Sequence, residues 1–225
     1  MNDPTVTPPP PADSAPETEV RPAKQELKRE ILDFVKLVAW FLIIFLGLRT
    51  YVIEGYEVQG PSMIPTLENN ERILVLKLPH LLSQWGVFSA IKAIEPGDIV
   101  VFDSPDTAKK RYVKRVIAMG PKPEHGKVAA DAQGVSDTSD WPQVRFERGQ
   151  VYVNNQVVPE EYLTEDARHS SERQTLSLGP GEYYVLGDNR RVSKDSRSFQ
   201  AINDDVVIGR AVLRFWPPSK ISLLK

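Results

Sequence analysis

Ser62 stands between two prolines in the stretch Gly60-Pro61-Ser62-Met63-Ile64-Pro65-Thr66-Leu67. Proline fixes its own backbone and restricts the residue before it, so the direction of this hydroxyl is set before any substrate arrives. Acyl transfer through a serine needs a base, donors for the oxyanion and an acid for the leaving group. Histidine is not placed to be that base. The three histidines (His80, His125, His169) are scattered, and none stands in an H-x-x-x-H or H-x-H arrangement. The chain has no cysteine, which removes thiol chemistry, disulfides and Cys-ligated metals. Lysine is protonated near neutrality at its ordinary pKa of about 10.4, but burial against apolar walls can lower that value by several units. Lys114 lies inside the apolar run 111–119 and shares a period-two face with Tyr112 and Val116, whereas Lys109 and Lys110 precede the run in a turn. Arg115, with a pKa above about 12, cannot accept a proton. The alternation does not say which face is buried.

A second polar stretch, 187–197 (Gly-Asp-Asn-Arg-Arg-Val-Ser-Lys-Asp-Ser-Arg), mixes carboxylates, arginines and serines. It reads either as a solvated loop or as one tied together by bidentate Arg–carboxylate bonds. The 28 Lys+Arg against 30 Asp+Glu leave a formal charge of −2, so the clustered positive charge that holds a nucleic-acid backbone is missing. No metal centre and no cofactor are expected.

The elements that must position these groups fall into three unequal parts. Residues 1–23 are dominated by Pro, Ala, Thr and acidic side chains and cannot bury enough apolar surface to offset the entropy of ordering, which predicts a disordered tail. Residues 24–54 read as an anchor helix. Twelve apolar or Gly positions run from 37 to 48 without a charge, and apolar side chains continue on both flanks, with Lys36 and Arg49 as the charges within 34–53. Both have stems long enough to carry the charge to an interface. A helix over about 34–53 would be roughly 30 Å long, matching the hydrocarbon thickness of a bilayer. Trp40 and Tyr51 lie towards its two ends, as interfacial aromatics do. Arg21, Lys24, Lys28 and Arg29 precede the span and only Arg72 falls in the twenty residues after it, which predicts a cytoplasmic N-terminus and a C-terminal part on the outer face.

From 54 onwards the apolar runs are short and rich in Val, Ile, Tyr and Phe: 72–78, 97–103, 111–119, 150–158, 182–188 and 209–216. Gly, Pro, Asn or Asp bound each run, the signature of strands and turns. The expected class is mainly β, an antiparallel-sheet ectodomain preceded by one transmembrane helix. Residues 122–145 are polar and read as a loop or insertion. Residues 81–91 carry Leu81, Leu82, Trp85, Val87 and Phe88, a core element or a patch resting on lipid.

Four boxes in order carry a resemblance: Ser62-Met63-Ile64-Pro65-Thr66-Leu67, Gly97-Asp98-Ile99-Val100-Val101-Phe102, Tyr112-Val113-Lys114-Arg115-Val116-Ile117, and the loop 187–197, followed by Trp216-Pro217. In these the chain resembles the bacterial type I signal peptidases, membrane-anchored serine proteases with a Ser–Lys dyad. The sequence departs from the family pattern where Gly120-Pro121-Lys122 replaces P-G-D, where Arg191-Val192 replaces an Asp-Asn pair, and where Gln200 stands at a common Gly. Gly60 stands where some members carry a serine donor to the oxyanion, so the hole would rest on backbone N–H groups, that of Ser62 among them.

The resemblance implies a catalytic β domain at 55–120 and 182–225 with a smaller β subdomain, 121–181, inserted into it. It implies Ser62 as nucleophile and Lys114 as base, with Ser193 hydrogen-bonded to the Lys114 amine. Asp188, Asp195 and Arg197 would hold the loop rigid, with Arg115 as cross-strand ion partner of one carboxylate. Tyr56, Val58 and Met63 would line shallow pockets that admit Ala. The implied partners are the signal peptides of exported preproteins, cut after Ala-x-Ala-type sequences, the lipid bilayer and a nearby translocon, at the bacterial cytoplasmic membrane. Ser62 follows Glu54 by eight residues, at most about 28 Å of extended chain, which keeps the nucleophile near the lipid surface. Rival readings are a self-cleaving repressor of the SOS type, an inactive anchored β domain that binds exported chains, and an organellar inner-membrane homologue.

Overall fold

The computed structural model describes residues 23–47, 49, 52–77, 94–121 and 141–224. The expectations for the tail 1–22, for the apolar segment 81–91 and for most of the polar stretch 122–145 lie outside those residues. The chain divides into two compact units, one up to Phe45 and one from Leu46.

The first unit carries α1, Ala23–Gly47. Good helix formers open it, and Phe41 and Phe45, one turn apart, stack at 5.9 Å. No helix among the described residues is long and apolar enough to cross a membrane, because Glu30, Asp33 and Lys36 interrupt the apolar character of α1. Nor does the helix reach 53. Ile53 opens strand β1 (Ile53–Glu57), paired antiparallel with β2 (Arg72–Leu76). The pairing supplies these residues with ladder hydrogen bonds that a longer helix would forfeit.

The second unit is mainly antiparallel β. One sheet runs in the order β1-β2-β11-β3-β4-β9-β10, with β12 paired to β11. Its further strands are β3 (Ile99–Asp103), β4 (Arg111–Met119), β9 (Glu182–Leu186), β10 (Ile202–Asn203), β11 (Val207–Trp216) and β12 (Ser222–Leu223). A second sheet, β7-β6-β5-β8, is built from β5 (Gln143–Glu147), β6 (Gln150–Val153), β7 (Gln156–Val157) and β8 (Arg173–Ser177). Strand β5 begins inside the stretch read from sequence as a loop. Only Val144 and Phe146 alternate there as apolar side chains, and the run became visible as a strand through its pairing with β6 and β8.

Period two explains how the strands share their side chains. In β3, Ile99 and Val101 join one core cluster with Val58, Met63, Leu67, Ile73 and Val75, while Val100 and Phe102 join another with Val116, Tyr183 and Val185. In β9 the same alternation sends Tyr184 and Leu186 to a third cluster with Ile117, Val144, Phe146 and Val151. Both faces of these central strands are therefore buried, which is why they read as continuous apolar runs. In β4 this buries Lys114 and Arg115 together.

Candidate active site

The turn 60–67 starts at Gly60, whose φ of +90° is a conformation that L side chains rarely adopt. Asn69 accepts the Gly60 N–H at 2.8 Å, and Leu67 N bonds Met63 O at 2.9 Å, turning both side chains into the first cluster. Ser62 is left facing a cleft of about 320 Å³ whose walls include Tyr56, Val58, Val101, Tyr112, Val113 and Lys114. Among the described residues no acceptor takes the Ser62 N–H, which leaves it available to a developing oxyanion.

Lys114 Nζ lies 2.9 Å from Ser62 Oγ and donates to Val113 O at 2.9 Å. The residue is 3% exposed, and Tyr112 places its ring 5.4 Å from the amine. Burial lowers the Lys114 pKa to about 8, against the opposing pull of Asp195 and Asp188. The separation from Ser62 serves both protonation states. An ammonium donates to Oγ, and a neutral amine accepts from Oγ–H.

Neighbouring Arg115 grips Asp188 through two bonds, Nε to Oδ1 at 3.0 Å and Nη2 to Oδ2 at 2.7 Å. The same guanidinium donates to Gly97 O at 2.7 Å and to Thr66 Oγ1 at 3.3 Å, and Thr66 donates to Asp188 at 2.5 Å. The serine turn, the lysine strand and the polar loop are thus pinned at one buried point.

The loop 187–197 is tied together rather than solvated. Asp195 accepts Gly187 N at 3.0 Å and pairs with Arg197, whose other nitrogens reach Ser193 O and Ser170 Oγ. Ser196 Oγ accepts Val185 N at 2.9 Å. Two expected contacts are not made. Ser193 Oγ is buried without a hydrogen-bond partner among the described residues; it packs against Gly187, and Lys114 bonds Ser62 Oγ and Val113 O. Met63 does not line the cleft. It is fully buried in the first cluster, where the turn directs it, and Val101, Val113 and Ile73 supply apolar wall that the sequence reading did not name.

One departure from the expected loop gains a physical meaning. Gln200, at the common glycine, ends the helical turn Ser196–Phe199 with φ +72° and ψ −163°, a region almost reserved for glycine. Arg190 and Glu160, which the sequence reading passed over, form a buried ion pair. Arg190 lies in the loop read as solvated or tied by Arg–carboxylate bonds, but nothing in the sequence marked Glu160 as its partner, since an isolated charge in a polar run gives no hint of burial.

A family model described as signal peptidase, peptidase S26, matches residues 31–125 and 142–216. The chain is 30% identical over 198 residues to a probable signal peptidase I-2 of Synechocystis sp., covering 86% of this chain and 77% of that protein. It is 29% identical over 210 residues to signal peptidase IB of Staphylococcus aureus, covering 86% and 94%. A solved signal peptidase I from Enterococcus faecalis V583 is 27% identical, with a TM-score of 0.39 over 53% of this chain and 97% of that one.

Proposed function

This chain belongs to the signal peptidase family, peptidase S26, and we propose that it removes signal peptides with Ser62 as nucleophile and Lys114 as general base. The observation that carries the reading is the 2.9 Å approach of Lys114 Nζ to Ser62 Oγ from a buried strand position. Neutral Lys114 takes the Ser62 proton as Oγ bonds to the scissile carbonyl carbon. The Ser62 N–H donates to the oxyanion, and Lys114 hands its proton to the departing amine as the C–N bond breaks. The same lysine then takes a proton from the water that attacks the ester, and Ser62 leaves reprotonated. Arg115, Asp188, Asp195 and Arg197 hold the serine, lysine and loop in register.

The substrates are exported preproteins, cut after small residues of the Ala-x-Ala type. Tyr56 and Val58, with Val101 and Val113, form a shallow apolar wall that favours Ala over larger side chains. In this reading residues 24–54 anchor the enzyme, as a single pass, to the bacterial cytoplasmic membrane near the secretion translocon, with 55–120 and 182–225 as catalytic domain and 121–181 as inserted subdomain. The anchor is supported by α1, whose Leu37, Trp40, Phe41, Ile43, Ile44 and Leu46 are all exposed. A helix apolar on every side needs a surrounding other than water.

The test is cleavage of a synthetic Ala-x-Ala signal peptide by the full chain in detergent micelles. Ser62→Ala and Lys114→Met should each lose at least about 10³-fold in kcat. Cleavage by Lys114→Met within tenfold of the parent would overturn the dyad. Association with lipid is read separately, by extraction of membranes at alkaline pH. Release of the full chain into the soluble fraction would overturn the anchor.

A further inference from the structure

The buried pair Glu160–Arg190 belongs to a closed circuit around the serine–lysine site. Arg190 donates through Nε to Gly187 O at 3.0 Å, and its backbone N–H donates to Ala167 O at 3.0 Å. Its guanidinium pairs with the Glu160 carboxylate, and both side chains are almost wholly buried. The Tyr162 hydroxyl donates to Glu160 Oε1 at 3.0 Å. The Tyr162 ring lies 4.0 Å from the centre of the Arg115 guanidinium, and Arg115 grips Asp188, next in chain to Gly187. The circuit therefore closes on itself: Arg115, Asp188, Gly187, Arg190, Glu160, Tyr162 and back to Arg115.

We propose that Tyr162, held by Glu160 and Arg190, is a positioning residue for the reaction: its ring covers Arg115 and keeps that guanidinium on Asp188 and Thr66. The proposal rests on the dyad reading above. Among the described residues the edge nitrogens of Arg115 bond Asp188, Gly97 O and Thr66, and the Tyr162 ring holds its flat face. A ring over that face adds cation–π attraction and keeps water from competing for the bonds to Asp188. Thr66 lies four residues beyond Ser62 in the same turn, and Lys114 is the neighbour of Arg115. A guanidinium free to tilt therefore moves nucleophile and base independently. Small displacements of this kind are costly to catalysis. Glu160 and Tyr162 come from the segment between β7 and β8, so the second sheet contributes to the geometry of a site whose reacting groups it does not carry.

The test compares Tyr162→Phe with Tyr162→Leu in the full chain in detergent micelles, at a temperature where both remain folded by tryptophan fluorescence. Two readouts are used. The first is cleavage of the Ala-x-Ala peptide. The second is acylation of Ser62 by a small activated p-nitrophenyl ester, followed by intact mass, which requires no signal-peptide recognition. Tyr162→Leu should lose at least about 30-fold in kcat and in acylation rate with KM within twofold, and Tyr162→Phe, which keeps the ring, should stay within about threefold of the parent. The paired variant E160M/R190M, which removes both buried charges at once, should fold and lose about tenfold in both rates. Equal acylation rates across the variants would overturn the proposal, as would a change confined to KM or a Tyr162→Phe loss equal to that of Tyr162→Leu. A parent that fails to cut the peptide, yet shows the expected spread of acylation rates, would sink the signal-peptide reading and leave the positioning role standing.

Discussion

The carbonyl oxygen of Ser62 accepts the backbone N–H of Asn189 at 2.9 Å. This bond joins the turn that carries the hydroxyl to the loop that follows β9, two segments far apart in the chain. It forms only because Gly187 leaves room for the close approach. A Cβ at 187 would stand 2.6 Å from Ser62 O and 2.1 Å from Ser193 Oγ.

Gly187→Ala should therefore displace the serine turn and cut kcat at least about 100-fold, since a shift of about 1 Å in a reacting group costs that much. Gly60→Ala is the control. Among the described residues nothing lies within 4 Å of the added carbon, and the positive φ opposes it. It should cost about 1–2 kcal/mol of stability, read as a drop of a few degrees in Tm. Equal losses of activity in the two variants would contradict this account.

The pH profile of kcat/KM should rise through a midpoint near the pKa of about 8 that burial sets for Lys114. The base works only without its proton, so activity is low below that value and levels off above it. A midpoint at or below about 6, measured on the Ala-x-Ala peptide, would point to a different base.

The same burial has a consequence for stability. The unfolded lysine keeps the ordinary value of 10.5, so below pH 8 the folded state must hold a charge it disfavours. That cost is full at neutral pH and disappears as pH rises from 8 to 10.5, as the unfolded chain alone still binds the proton. At 1.36 kcal/mol per pH unit it amounts to about 3 kcal/mol. Lys114→Met should thus be more stable than the parent at pH 7 and lose that advantage by pH 10.5. Urea midpoints at the two pH values check the sign.

Arg115→Met leaves Asp188, fully buried, without its partner. The loss should be about 3–5 kcal/mol, the usual cost of a stranded buried charge. The double variant R115M/D188L strands no charge and should recover most of that stability. It should not recover turnover, because the Thr66 hydroxyl then loses its bonds to Asp188 and Arg115. Recovery of activity in the double variant would show that the pair serves stability alone.

Gln200→Gly should stabilise the protein by about 1 kcal/mol. The backbone at 200 lies in a region that costs a non-glycine residue about 1–3 kcal/mol. Against that stand the greater chain entropy of glycine and the bond from Gln174 Nε2 to Gln200 Oε1 at 3.3 Å. A higher urea midpoint for Gln200→Gly, measured at pH 7, is the expected result.

By itself the sequence determined the mainly β class of fold and marked Ser62 and Lys114 as the candidate reacting groups. Strands β3 and β9 were legible because both of their faces are buried, which writes an unbroken apolar run, and β2, β4 and β11 because Val, Ile, Leu and Phe crowd their covered faces. Ser62 was legible because prolines flank it, and Lys114 because a cation inside an apolar strand is out of place unless it has work to do. The short edge and second-sheet strands β1, β5 and β8 were not legible, since a strand with one covered face and few residues carries too weak a pattern. Tertiary structure alone decided that Met63 turns into the core, that the Ser193 hydroxyl has no hydrogen-bond partner among the described residues, and that Glu160, Arg190 and Tyr162 close a circuit around Arg115. Those facts depend on which distant segments meet. Contacts of this kind follow from packing and from the pairing of buried charges, neither of which leaves a periodic mark in the chain.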